Sequence, residues 1–314
     1  MKIGVIFTGG TIGSTVKDGW ISTDEAKKYL LLENYRERFG DDITFIPSEP
    51  YYLLSENLSA DKLNLLMKAI NGGLSHDFDG IIVTHGTDTL HFSAAAAHHA
   101  FNDNNKPIVF VSANFPLEDS RSNGHANFEG AVALIKSGIK SGVCISYANP
   151  DGKHYIHKAD KALSFSESDD SIYSLGKKPF AVFENETVKI LDKIDYTSSL
   201  GVVSFCESPK ILVITAMPED SFEYNIEKYN AVILRPYHSG TLNTQSFYFK
   251  EFLKHASQKD VPVFLANAPS GTTYETVKEY ETLGIISLPD ITFASLYIKI
   301  WAGISENKNL KNLF

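Results

Sequence analysis

The sequence predicts an α/β fold divided between two domains, and three observations lead there. Short β-branched runs alternate with longer stretches of helical character, the pattern of parallel strands joined by helical crossovers. That rhythm breaks off after Tyr147 and restarts at Ile211. The length of 314 residues corresponds to about two domains of roughly 150 residues each.

In chain order, the strands of the first alternation are Ile3 to Phe7, Thr44 to Pro47, Gly80 to Thr84, Pro107 to Ser112 and Gly142 to Tyr147, short runs rich in branched apolar residues. Between them fall helices over Thr23 to Arg38, Ser59 to Ile70, Thr89 to Asn102 and Gly124 to Ser137, with Ser59 as the N-cap ahead of Ala60-Asp61-Lys62. Past Tyr147 the stretch Ser164 to Ser174 is polar and rich in Ser and Asp, and Phe180 to Phe183 with Thr187 to Leu191 reads as a short hairpin. Tyr196 to Pro209 reads as a linker, so the expected division is an N-terminal domain over 1–195, a linker over 196–209 and a C-terminal domain over 210–314. The second alternation comprises Ile211 to Thr215, Ala231 to Leu234, Val261 to Leu265 and a final helix near Phe293 to Ile304. It carries no second copy of the motifs described next.

Composition narrows the function classes. Hydrophobic residues at 43% and charged residues at 21% exclude disorder and low-complexity architecture. The formal charge is 29 − 38 = −9 with no basic run, which argues against a nucleic-acid partner. Apolar stretches fall well short of the ~20 residues of a membrane helix, and Ile3 to Phe7 is too short for a signal-peptide core, so no membrane partner and a cytoplasmic location are expected. Cys144 and Cys206 form neither a disulfide framework nor a CxxC spacing.

In an open parallel sheet the loops leaving the carboxyl ends of the strands converge on one crevice. The first strand runs into Thr8-Gly9-Gly10-Thr11-Ile12-Gly13, where paired glycines allow close backbone approach and leave hydroxyls at the strand tip. The third runs into Thr84-His85-Gly86-Thr87-Asp88-Thr89, a hydroxyl beside a carboxylate at the mouth of a helix, and the fourth into Ser112-Ala113-Asn114. Each element also has a plain structural account. Gly10-x-x-Gly13 is a fragment of a dinucleotide turn with Thr8 at the first glycine position, and Thr87, Asp88 and Thr89 are ordinary helix-capping residues. His98 and His99 read as solvent-facing, and His154-x-x-His157 lacks the further ligands of a metal site, so no metal is expected. The two Thr-bearing turns remain, and together with the fourth strand end they supply hydroxyl nucleophiles, an acid and backbone donors, with no obvious His base for a Thr nucleophile unless His85 serves.

With those turns in view, the chain resembles the bacterial-type L-asparaginase and glutaminase family, especially its cytoplasmic type I members. Thr8-Gly9-Gly10-Thr11-Ile12 is similar to the family's first signature and His85-Gly86-Thr87-Asp88-Thr89 to its second; Pro116-Leu117-Glu118 with Arg121-Ser122-Asn123-Gly124 and Asn127 is similar to a type I stretch that usually has Asp in place of Asn123. The resemblance implies a larger N-terminal domain with a mostly parallel open sheet flanked by helices, a smaller C-terminal α/β domain, a homodimer or homotetramer, and hydrolysis of L-asparagine without a cofactor. It implies Thr11 as the nucleophile that forms a β-acyl intermediate, Thr87 as a second hydroxyl, and Lys158 and Asp88 completing a triad with Thr87. A lysine serves as base only where burial or nearby charge depresses its pKa, so Lys158 is expected beside Thr87 in a partly desolvated site. Ser55 and Glu56 are implied as binders of the α-carboxylate and α-amino group, Asp88 as a partner of the α-ammonium, and Ala113 as a backbone contact.

One departure concerns the lid after the first threonine, where the family usually places a tyrosine and this chain has Trp20, whose indole N–H donates but cannot accept a proton. Tyr29 lies nearby on the predicted helix. The other is Glu56, an additional carboxylate at a variable position. The alternatives are an amidase preferring glutamine or another amino-acid amide, and a non-catalytic amino-acid binder. A tRNA-dependent amidotransferase subunit shares the scaffold, and the negative charge argues against it.

Overall fold

A computed structural model describes the chain except for residues 25–28, 164, 167–168, 195–198 and 272. The expected helix from Thr23 and the expected linker from Tyr196 each run in part through residues outside that description. By Cα proximity the chain divides into two compact units, Met1–Val203 and Ser204–Phe314.

The first unit is organised by β1 (Lys2–Phe7), whose residues after Lys2 are all buried. Burial on both faces calls for a sheet covered on both sides, and the chain supplies one. The remaining strands are β2 (Ser14–Lys17), β3 (Trp20–Thr23), β4 (Thr44–Ser48), β5 (Gly80–Thr84), β6 (Ile108–Val111), β7 (Val143–Ala148), β8 (His154–Lys158), β9 (Ala181–Glu184) and β10 (Thr187–Ile190). Seven of them join β1 in one eight-stranded sheet, in the order β10-β9-β8-β7-β6-β5-β1-β4. The strands from β4 to β7 run parallel, and β8 to β10 add to the β7 edge antiparallel.

The helices are α1 (Leu30–Phe39), α2 (Ala60–Leu74), α3 (Leu90–Phe101) and α4 (Gly124–Lys136). Alternate residues of the strands separate the two helical layers. Val5, Ile82, Val109, Val111, Cys144 and Ile156 share a core with Leu31 and Tyr35 of α1 and Phe128, Ala131 and Leu134 of α4. The intervening residues Ile81, Val83, Phe110 and Ile145 are equally buried, on the face where α2 and α3 pack. In α2 the stripe Leu63, Leu66, Met67 and Ile70 faces inward, and Ser59 caps it by accepting from Lys62 N–H at 3.4 Å. Ala94 to Ala97 let α3 lie close on the sheet.

Three expectations are corrected here. Thr23 itself does not open a helix. Trp20–Thr23 is a strand, paired to β2 across a two-residue turn in which Asp18 and Gly19 have φ of 52° and 82°, the left-handed pair that a type I′ hairpin turn requires. His98 does not face solvent: it is buried, because helix α3 is covered on nearly all sides. The strand β8 was hidden because His-Tyr-Ile-His-Lys carries little apolar alternation, and the hairpin β9–β10 is not separate but extends the large sheet through β8.

In the second unit β11 (Ile211–Thr215), β12 (Ala231–Arg235), β13 (Val263–Ala266) and β14 (Ile285–Leu288) form a parallel sheet in sequential order. Helix α5 (Phe247–Gln258) covers one face through Phe249, Phe252 and Leu253. After the short α6 (Glu279–Thr282), helix α7 (Phe293–Ser305) covers the other through Leu296 and Ile300. No helix among the described residues is long and apolar enough to cross a membrane.

Candidate active site

At the carboxyl end of β1, Thr8 turns its hydroxyl back to the Thr84 carbonyl of β5 at 2.7 Å, locking two strand tips together. The chain then bends through Gly9 and Gly10, with φ of 95° and 75°, conformations that favour glycine. Gly10 N–H donates to Leu53 O at 2.8 Å and Leu53 N–H to Thr8 O at 3.1 Å, so the segment ahead of Ser55 is stitched to this turn. Space is as decisive as torsion. A Cβ on Gly10 would lie 2.4 Å from the backbone of Gly86, and one on Gly86 would lie 2.4 Å from Ser55 Oγ. The Gly10, Ser55 and Gly86 loops therefore meet in close contact, and Thr89 Oγ1 reinforces the junction by donating to Ser55 O at 2.9 Å.

This packing leaves a set of unengaged polar groups. Thr11 opens a single 3-10 turn, Thr11–Gly13, and is half-buried, as is Thr87 just ahead of α3. Neither threonine hydroxyl nor either threonine N–H has a hydrogen-bond partner among the described residues, and the exposed Asp88 carboxylate has none either. Ser55 is buried and Glu56 beside it is exposed. Two hydroxyls, two N–H donors and a carboxylate are what covalent acyl chemistry on a small amide requires.

Directly after β5 comes His85, which is buried and donates from Nδ1 to Gly86 O at 2.9 Å. A carbonyl only accepts, so Nδ1 carries the proton. Burial pushes the His85 pKa down to about 4, against the smaller opposing effect of that hydrogen bond. At neutral pH the ring is uncharged.

Behind β6, Ala113 is fully buried, and a Cβ placed on Gly124 would lie 3.0 Å from its methyl and 3.4 Å from Ile12. Asn114 and Asn123 exchange bonds, each side-chain oxygen accepting the other's N–H at 3.0 and 3.1 Å. Asn123 Nδ2 also donates to Ala148 O at 2.8 Å, a bond that the carboxylate usual at this position could not make. Asn127 donates to Ser112 O at 2.8 Å and accepts from Ala148 N–H at 2.6 Å, bridging the tips of β6 and β7. The bridging role of Asn127 was not read from sequence, which offered His85 only as a candidate base. The available signal was a polar side chain at a position whose neighbours in the same element are apolar.

Lys158 does not join this cluster. It pairs with Cys144, which is level with Val109 and so with Ile82, two residues short of the β5 tip and three strands away. Its Nζ pairs with Asp192 Oδ2 at 2.9 Å, and it lines a cavity of about 120 Å³ with His98, Asn102 and Asp160. His98 and Asn102 mark the end of α3 remote from Thr87, a separation of roughly 18 Å for a helix of this length. The spacing Ile156-His157-Lys158 carried no information on which way the lysine turns, and the strand register turns it away.

The neighbouring His157 faces the opposite side of β8, is fully buried, bonds Ser174 Oγ through Nδ1 at 2.8 Å, and is held down to about 3 by burial and by His154. His154 instead meets Ser146 Oγ at 2.9 Å, so the two histidines do not converge. Among the described residues no group of three metal-ligating side chains is assembled.

Trp20 stands on the β2–β3 hairpin, which leaves the Thr11 turn directly; it is 77% exposed and sits across from Lys17. Tyr29 does not lie within α1 but at its N-cap, with its ring 5.3 Å from that of Phe7 at the end of β1.

The family model described as asparaginase, N-terminal, matches residues 2–196. Among curated proteins, a glutamyl-tRNA(Gln) amidotransferase subunit from Methanobrevibacter smithii is 28% identical over 316 residues, covering 95% of this chain and 71% of that protein. Among solved structures, the thermostable L-asparaginase from Thermococcus kodakarensis superposes with a TM-score of 0.82 at 19% identity, over 100% of this chain and 95% of that one. L-asparaginase I from Vibrio cholerae superposes with a TM-score of 0.78 at 22% identity, over 99% and 95% of the two chains. At such identities the two structural likenesses speak for the fold.

Proposed function

The chain belongs to the asparaginase family, and from that premise we propose that it hydrolyses the side-chain carboxamide of L-asparagine to L-aspartate and ammonia without a cofactor. The observation that carries this reading is the mutual packing of the Gly10, Ser55 and Gly86 loops, which leaves the Thr11 and Thr87 hydroxyls and N–H groups unengaged beside Asp88.

In the proposed reaction Thr11 Oγ1 attacks the carboxamide carbon and gives up its proton. The C–N bond then breaks and ammonia leaves with a proton, and water cleaves the resulting ester to restore the hydroxyl. Backbone N–H groups at Thr11 and Thr87 carry the oxyanion charge. Ser55 and Glu56 hold the substrate's α-carboxylate and α-amino group, Asp88 pairs with the α-ammonium, and Ala113 gives a backbone contact. With Lys158 committed to Asp192, the proton acceptor in this reading is Asp88 acting through the Thr87 hydroxyl. A carboxylate is a weaker base than a neutral amine, so turnover is expected to be slower than a lysine-assisted site would allow. Trp20 closes over the substrate as a lid. We assign the protein to the cytoplasm as a homodimer or homotetramer acting on a small molecule, with neither nucleic acid nor membrane as partner.

A second reading is favoured by the relative named as an amidotransferase subunit: the same site releases ammonia from glutamine. Steady-state ammonia release with L-asparagine, L-glutamine and their D-isomers separates the two. Absence of ammonia from all four, with aspartate still raising the thermal midpoint, would leave a binding protein and overturn both.

A further inference from the structure

His85, the first residue past β5, occupies a position that the fold alone would fill with an apolar side chain. The residues two and four positions before it on the same face of β5, Val83 and Ile81, are fully buried aliphatics. His85 is itself 1% exposed, its N–H is bonded to Val111 O at 2.9 Å, and its ring lies 6.4 Å from that of Phe110. Sheet pairing is thus complete without the imidazole. What the imidazole adds is a single bond, from Nδ1 to the carbonyl of the next residue, Gly86, at 2.9 Å.

That bond has a directional consequence. The peptide is trans, so the Gly86 C=O and the Thr87 N–H point in opposite directions. Holding the carbonyl against the ring aims the Thr87 N–H away from it, and that N–H has no partner among the described residues. Gly86 is the one residue of this loop without a side chain, and its φ/ψ freedom would otherwise let the peptide flip. The loop packs on Gly10 and Ser55 through Gly86, so a flip would also disturb the turn that presents Thr11.

We infer that His85 is a positioning residue, whose Nδ1–H fixes the Gly86–Thr87 peptide so that the Thr87 N–H stands ready to donate to the substrate oxygen that becomes negatively charged. This rests on the hydrolase reading above for what the N–H serves, but not for the peptide orientation itself. The imidazole neither touches substrate nor exchanges a proton with it.

Three substitutions test the inference, because they differ in where they put a donor. Asparagine places Nδ2 the same number of bonds from Cα as histidine Nδ1, glutamine places its amide one bond too far, and leucine supplies none. In His85→Asn the value of kcat is expected within about threefold of the original. In His85→Gln and His85→Leu it is expected to fall by about 10² with KM within about twofold, the range for losing one oxyanion donor. The amide signal of Thr87, followed by ¹⁵N-resolved hydrogen exchange, is expected to be retained in the asparagine variant and displaced or broadened in the other two. Equal kcat in all three variants, or an asparagine variant no better than leucine, overturns the inference. If leucine does not fold, the asparagine–glutamine pair decides alone. If the unsubstituted protein releases no ammonia from any amide, the hydrolase reading fails separately, and the Thr87 amide signal still shows whether His85 orients the peptide.

Discussion

At the scale of single residues, threonine and lysine are expected to behave in opposite ways. Thr11→Ala and Thr87→Ala each remove a half-buried hydroxyl that bonds nothing among the described residues, so stability should change by no more than about 0.5 kcal/mol. Turnover should fall by about 10³ or more in either variant while aspartate still binds. Ammonia release at the original rate from one of them would remove that threonine from the mechanism. Lys158→Met is expected to leave turnover within about twofold, since its ammonium is paired with the half-exposed Asp192 near the far end of α3. Its cost belongs to stability, and for a pair with one exposed member it is about 1 kcal/mol or less. A collapse of kcat in this variant, with the thermal midpoint kept, would return the lysine to the site.

At the scale of elements, two glycines and a hairpin carry the argument. Gly10→Ala brings a methyl to 2.4 Å from the Gly86 backbone at a φ of 75°, so the two signature loops must part. The expected result is loss of nearly all activity together with a stability cost of about 2 kcal/mol from strain and lost contact. The hairpin β2–β3 is held by its own type I′ turn and exposes Val16, Trp20 and Ile21, which fits an element that moves. Trp20→Phe should then keep much of the rate, because apolar area is largely retained. Trp20→Tyr introduces a hydroxyl able to exchange a proton with Thr11. A rise in kcat of about tenfold, equivalent to about 1.4 kcal/mol of barrier, is expected if the nucleophile is under-activated in the natural chain. An unchanged or lower rate would assign that task elsewhere, the phenols to examine being Tyr29 beside Phe7 and Tyr52, whose hydroxyl donates to Gly13 O at 2.5 Å.

At the scale of the whole molecule, three histidines are buried in the neutral state: His85 and His154 are held down to about 4 and His157 to about 3, in each case chiefly by burial. The unfolded chain, with histidine near its ordinary value, takes up protons between about pH 6.5 and pH 4, and for His157 down to about pH 3, that the folded chain refuses. Their stabilisation is therefore complete above about pH 6.5, falls as the pH drops through that window, and levels off below the folded values. Each group contributes on the order of 3–5 kcal/mol across it. Denaturant unfolding at about pH 7.5, 6 and 5 should show stability falling steadily, and His154→Gln should flatten part of the slope. A constant midpoint across those pH values would mean that these rings are hydrated in the folded state.

How much was legible in the sequence follows from the range of the forces involved. The α/β class, the strands β1, β5, β6 and β7, the helices α2, α3 and α4 and the two threonine-bearing turns could be read directly, because hydrophobic periodicity and glycine-rich turns are local signals. Family membership could be read from the same turns. The sequence could not show that β8 to β10 extend the sheet, since a polar strand acquires its place from the neighbour that hydrogen-bonds to it. Nor could it orient Lys158. Successive side chains of a strand point to opposite faces, so the direction of a lysine depends on register, and register depends on how the strand pairs with its neighbour. The contact of Gly10 with Gly86 and the role of His85 were settled by tertiary packing for a related reason: they join loops more than seventy residues apart, or concern a carbonyl whose orientation no residue type encodes. Local chemistry selected the functional groups, and long-range packing determined which of them meet.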